Sequence, residues 1–180
     1  MKVLPDDRMG LSIRLLLGTG MRMQELLALE PQHIEKDGSV IHIRQAVKLV
    51  KGTVILGDPK SKDSIRDVPV PVNVRICAIK LRDTTCQYIW ESPRIGLPCN
   101  PTHFRDVFKK SLEEAGDVRI LTPHSCRHTY VSQMQALGVD IQTIQSIVGH
   151  ADTDMTEHDL HVQDSIRQNA VQRFSEAFGA

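Results

Sequence analysis

The chain has no surplus charge of either sign: 22 Lys and Arg stand against 22 Asp and Glu in 180 residues. No overall basic field therefore announces a nucleic-acid partner, and a binding surface has to come from local patterning. The four cysteines, Cys77, Cys86, Cys99 and Cys126, show no Cys-x-x-Cys spacing, which argues against a zinc ribbon or disulfide framework and for a reduced, cytoplasmic setting. No apolar run approaches the roughly 18 residues of a membrane helix. Asp6, Asp7 and Arg8 interrupt the stretch where a signal core would be continuous. Internal repeats and low-complexity tracts are also lacking. Between Ala151 and Asp164 there is no Lys or Arg, only Asp152, Asp154, Glu157, Asp159 and Asp164. The opposite imbalance lies between Arg44 and Arg66, with six basic residues (Arg44, Lys48, Lys51, Lys60, Lys62, Arg66) against Asp58 and Asp63.

What is present reads as mostly helix with one inserted sheet. Met9, Ile13, Leu16 and Leu17 recur at helical spacing from Pro5, until Gly18-Thr19-Gly20 halts the pattern. A second short helix runs from Arg22 to Leu29 and ends at Pro31. Alternating segments at 40–43, 53–56 and 65–70, separated by Gly38, Lys51-Gly52 and Gly57-Asp58, predict a small three-stranded antiparallel sheet. Helical spacing then returns over Val74–Leu81, Pro101–Ala115, Pro123–Leu137, Asp140–Val148 and Ser165–Phe178. The order predicts an α+β domain of catalytic size.

One stretch carries chemistry. In Thr122-Pro123-His124-Ser125-Cys126-Arg127-His128 the threonine is a helix cap and the proline the first helical residue, so His124 and Arg127 share a face near the helix entrance. A helix N-terminus with a guanidinium beside it suits a phosphate. Arg22 also sits at a helix entrance, with Glu25 one turn on, either as an ordinary ion pair or as the group that orients the arginine. His128, a turn after His124, is expected to be structural and bonded in the interior.

Taken in order, these segments resemble the catalytic domain of tyrosine recombinases, the phage and transposon integrase family, from about Gly18 to Val162. That family places an arginine after Thr-Gly-x, as Arg22 stands here. It then has a lysine on a hairpin of the small sheet, a His-x-x-Arg-His motif opening a later helix, a Gly-His, and a tyrosine nine residues further on. The resemblance implies that Arg22, Lys60, His124, Arg127 and His150 gather around one DNA phosphate, with Glu25 and His128 behind them. Lys48, Lys51, Lys62 and Arg66 would be further DNA contacts. It also implies double-stranded DNA as partner, an oligomer on that DNA, and no cofactor or metal. Residues 1–180 would be a fragment lacking the family's N-terminal arm- and core-binding domains, and the helix from Ser165 would either pack on its own domain or be exchanged between protomers. Alone, so neutral a fragment is expected to bind DNA weakly and with strong salt dependence.

In the implied reaction a tyrosine attacks a phosphodiester whose non-bridging oxygens gain charge in the transition state. Arg22 and Arg127 would grip those oxygens with planar, permanently charged groups. His124 and His150 would donate further hydrogen bonds to the oxygens or hold the nucleophile. Lys60, with Lys62 as the alternative if the hairpin register shifts, would protonate the leaving 5′ oxygen.

The nucleophile position departs from this pattern. Thr156-Glu157-His158-Asp159-Leu160-His161 resembles the Thr-x-x-Tyr-x-His of conjugative-transposon integrases, with Asp159 where tyrosine belongs. Aspartate is shorter, would yield an acyl phosphate, and opposes the DNA charge by roughly 4 kcal/mol at ~4 Å and an effective dielectric of ~20. The chain is thus expected to bind DNA without cutting it. The rival readings are a non-catalytic regulatory relative and a metal-dependent nuclease using Asp152, Asp154 and Asp159. His158 and His161 lack the partners of a four-ligand zinc site.

Overall fold

The computed structural model describes residues 4–57, 65–93, 96–116, 122–149 and 164–178, the last with side chains from Ala170. Helix α1 (Arg8–Thr19) runs through the centre, with Ile13, Leu15 and Leu16 fully buried. It starts where Asp7 accepts from the Gly10 amide at 2.8 Å and stops at Gly20, whose φ of 64° is a left-handed cap. Around it pack α3 (Val72–Arg82), α4 (Pro101–Glu114) and α5 (Pro123–Ala136). Phe104 and Phe108 of α4, with Trp90, close one end of this main core.

The short α2 (Met23–Leu27) leads into four strands: β1 (Val40–Ile43), β2 (Ala46–Val50), β3 (Thr53–Gly57) and β4 (Arg66–Pro69). Here the strand prediction is corrected. Among the described residues there is no three-stranded sheet but two antiparallel pairs, β1 with β4 and β2 with β3. The break falls at Arg44-Gln45, where the Gln45 side chain donates through Nε2 to Ala28 O at 3.0 Å. The additional strand β2 is closed onto β3 by Lys51-Gly52, both with positive φ (48° and 80°), the backbone of a two-residue hairpin turn.

A second core joins α5, α6 (Ile141–Val148) and α7 (Asp164–Phe178). Tyr130 is fully buried there, its ring centroid 4.8 Å from that of Phe174. Helix α7 therefore packs against its own chain, and Asn73 of α3 holds it through the Ser175 hydroxyl at 3.1 Å. The helices predicted from periodicity are all present, and the α+β class holds. No helix among the described residues is long and apolar enough to cross a membrane.

Candidate phosphate site

The entrance of α5 is built as its sequence implies. Thr122 Oγ1 accepts from the Ser125 amide at 3.1 Å, Ser125 Oγ accepts from the Thr122 amide at 2.6 Å, and Pro123 needs no partner for an amide it lacks. The buried stripe of this helix is Pro123, Cys126, Arg127, Tyr130 and Met134. Arg127 is thus drawn inward, only 5% exposed, while His124 stays exposed.

Three arginines meet the C-terminal end of α6, each on a successive carbonyl. Arg66 Nε donates to Ile147 O at 2.8 Å, Arg127 Nη1 to Val148 O at 2.6 Å, and Arg22 Nη2 to Gly149 O at 2.5 Å. Arg127 Nη1 also reaches Gly20 O at 2.9 Å, which ties the Thr-Gly turn to the same point. The carbonyl end of a helix carries partial negative charge, so it gathers cations. Glu25 is the counter-ion within the cluster, its side chain only 1% exposed. It takes two hydrogen bonds from Arg66 at 2.9 Å, one from Arg22 Nη1 at 2.9 Å and one from the Arg22 amide at 2.8 Å. Burial alone would raise the Glu25 carboxyl. Its bonds and charge contacts with Arg66, and then Arg22, outweigh that and hold it below the usual glutamate value.

Arg127 is left in the opposite condition. Its Nη2 is buried and has no hydrogen-bond partner among the described residues. Burial first, then the charge of Arg22, push its guanidinium down to about 9, against the relief offered by Glu25. A buried cation with an unused donor, next to the 36%-exposed side chain of Arg22, is an arrangement that an oxyanion would complete.

Two glycines are demanded by this packing. A Cβ at Gly20 would lie 2.5 Å from Tyr130 Cδ1, and one at Gly149 would lie 2.8 Å from Arg66 Nη1; both residues have positive φ, 64° and 71°.

The chain matches the phage integrase family across residues 5–165. It belongs to that family. Among curated relatives it is 26% identical to a tyrosine recombinase XerC-like protein of Caldanaerobacter subterraneus, over 98% of this chain and 51% of that one. It is 30% identical to tyrosine recombinase XerD of Rhizobium meliloti, over 94% of this chain and 52% of that one. The chain spans about half the length of these relatives. In fold it is similar to the Tn1549 transposon integrase (residues 82–397) solved with circular intermediate DNA, at a TM-score of 0.67 and 19% identity, covering 87% of this chain and 58% of that one.

Against that background, the expected site residues divide. Arg22, Glu25 and Arg127 are brought together, and His124 stands one turn before Arg127 at the same helix end. Lys60, Lys62, His150 and Asp159 lie outside the described residues, as do Asp152, Asp154, His158 and His161. Lys48 and Lys51 are exposed on the β2–β3 hairpin.

Two readings are corrected. Arg66 does not face outward to meet DNA: it is 8% exposed and bonded to Glu25 and Ile147. The missed signal is parity, because Arg66 shares its side of an alternating strand with buried Val68. His128 is not interior either. It is exposed, its Nε2 2.9 Å from that of His124, because both lie off the buried stripe of α5.

Proposed function

We propose that this chain is the phosphate-gripping catalytic module of a mobile-element integrase, acting on double-stranded DNA in integration and excision, and that Asp159 leaves it able to bind DNA but not to cleave it. The observation that carries the reading is the convergence of Arg22 and Arg127 at the C-terminal end of α6, with Arg127 Nη2 buried and unpartnered among the described residues. Each non-bridging oxygen of a phosphodiester accepts such donors, and the charge it gains in the transition state strengthens them. Lys60 serves as general acid in this scheme, and His124 and His150 as further donors.

The two tyrosines of the chain support loss of the nucleophile. Tyr130 is fully buried under Gly20 and beside Phe174, and burial pushes its hydroxyl well above the usual tyrosine value. Tyr88 is 3% exposed and its hydroxyl accepts from Gln87 at 3.2 Å. Neither side chain is presented to a DNA strand. Assembly of several protomers on DNA belongs to the same proposal, and exchange of α7 would require Phe174 to leave its place against Tyr130.

A nicked suicide duplex tests the reading. The chain as it stands should form no covalent adduct, and Asp159→Tyr should form one whose yield drops at least a hundredfold when Arg127 is also replaced by Ala. An adduct formed by the unaltered chain contradicts the assignment of Asp159. Failure of Asp159→Tyr to react, with DNA binding intact, favours a regulatory relative instead.

A further inference from the structure

Arg66 is buried, and it is held more firmly than either arginine it neighbours. Its fork lies on both carboxylate oxygens of Glu25 at 2.9 Å, and its Nε–H lies on Ile147 O at 2.8 Å. We propose that Arg66 is a positioning residue for the phosphate site, which sets Arg22 and Arg127 through Glu25 and through the carbonyl end of α6. The proposal rests on the oxyanion reading of Arg22 and Arg127.

The geometry gives Arg66 two means of control. Through Glu25 it fixes the carboxylate oxygen that takes Arg22 Nη1, since Oε1 receives both Arg66 Nη1 and Arg22 Nη1 at 2.9 Å. Through Ile147 it anchors the last turn of α6, whose next two carbonyls hold Arg127 and Arg22. A shift of Arg66 would thus move both phosphate donors without touching the phosphate. Gly149 records the closeness of the fit, because a Cβ there would lie 2.8 Å from Arg66 Nη1. Lysine cannot replace this pattern. One Nζ carries the charge but cannot span two carboxylate oxygens and a carbonyl in a plane. The groups facing Glu25 are Arg22 from the α2 cap, Arg66 from β4 and, by charge alone, Arg127 from α5. With Arg66 present the carboxyl is held below its ordinary value; without it, only Arg22 opposes the effect of burial and the carboxyl titrates higher.

The probe is inorganic sulfate, titrated at low ionic strength into the isotopically labelled chain while the side-chain Nε–H signals of Arg22 and Arg127 and the Glu25 carboxyl carbon are followed by NMR. In the native chain both arginine signals should move with one dissociation constant. Arg66→Lys, still folded, should weaken that constant about tenfold or more and raise the Glu25 titration midpoint. A merely structural arginine would lower the unfolding midpoint while leaving the sulfate constant within twofold and Glu25 unmoved, and that result overturns the proposal. If Arg66→Lys does not fold, the native chain decides. Protonating Glu25 must move the Arg22 and Arg127 signals at the same midpoint, and unmoved signals overturn the proposal. Sulfate that moves neither signal in the native chain contradicts the oxyanion reading, while the coupling to Glu25 still decides the role of Arg66.

Discussion

Arg66 and Asp67 are consecutive residues on β4, and they head two charge networks on opposite faces of the same strand. Inward, Arg66 joins Glu25, Arg22 and the end of α6, with the Arg66 and Glu25 side chains 5% and 1% exposed. Outward, Asp67 takes His42 Nδ1 at 2.8 Å and Arg44 Nη2 at 2.6 Å, and His42 Nε2 reaches Glu35 at 3.0 Å. The Asp67 side chain is 55% exposed, so water competes with every bond it makes. The residue types are nearly the same in both networks, but their burial is not. A surface pair contributes little because its partners are almost as well solvated apart, whereas removing one partner of a buried pair leaves an uncompensated charge.

Removing the inner carboxylate breaks this contrast most severely. Glu25→Ala is expected to cost about 3–5 kcal/mol in urea unfolding. The native inner network should also weaken in acid. Glu25 is held below its ordinary value in the folded state, so its contribution is present above about pH 4.5 and is lost as pH falls through the folded value. Unfolding midpoints between pH 3 and 6 check this, and a flat profile speaks against it.

Gly20→Ala is expected next in size, at about 1–3 kcal/mol, because the new methyl meets Tyr130 in a left-handed backbone that still has to present its carbonyl to Arg127. It disturbs the inner network without altering any charge. Thermal unfolding measures the loss, and an unchanged midpoint would mean that the turn is looser than the packing implies.

The outer network should respond far less. Asp67→Asn is expected to change stability by no more than about 1 kcal/mol, and the change should shrink as salt is raised. The smallest effect is a drift with pH. Hydrogen bonds to Asp67 and then Glu35 raise His42 above 6.5, so its contribution is full below about pH 6.5 and fades as pH rises through the folded value. The fall in stability between pH 6 and 8 that His42 contributes should be lost in His42→Ala. The two networks thus weaken at opposite ends of the pH range.

How far the sequence discloses these networks follows from what kind of signal each needs. Helix positions are legible because caps and 3.6-residue spacing are local: Thr122 and Asp140 each cap the helix they precede, and the structure adds Asp7 as the cap of α1. Arg22 and Arg127 were legible through the resemblance, and Glu25 through its one-turn distance from Arg22. The sheet was half legible, since alternation marks strands but not partners, and the break at Arg44-Gln45 depends on a side-chain bond to Ala28. Arg66 was misread because a cation in a basic stretch suggests an exposed one, although its parity with Val68 pointed inward. The meeting of three arginines on three successive carbonyls could not be read along the chain, because Arg22, Arg66 and Arg127 reach α6 from different elements.

The proposed function stands or falls with Arg22 and Arg127 acting as one oxyanion clamp. Crystals of the chain soaked in tungstate test it most directly, because the heavy anion gives its own anomalous signal. The expected result is a peak within hydrogen-bond distance of both Arg127 Nη2 and the Arg22 guanidinium, beside the C-terminal end of α6. Tungstate bound elsewhere with that position empty, or bound to one arginine with the other turned away, would contradict it.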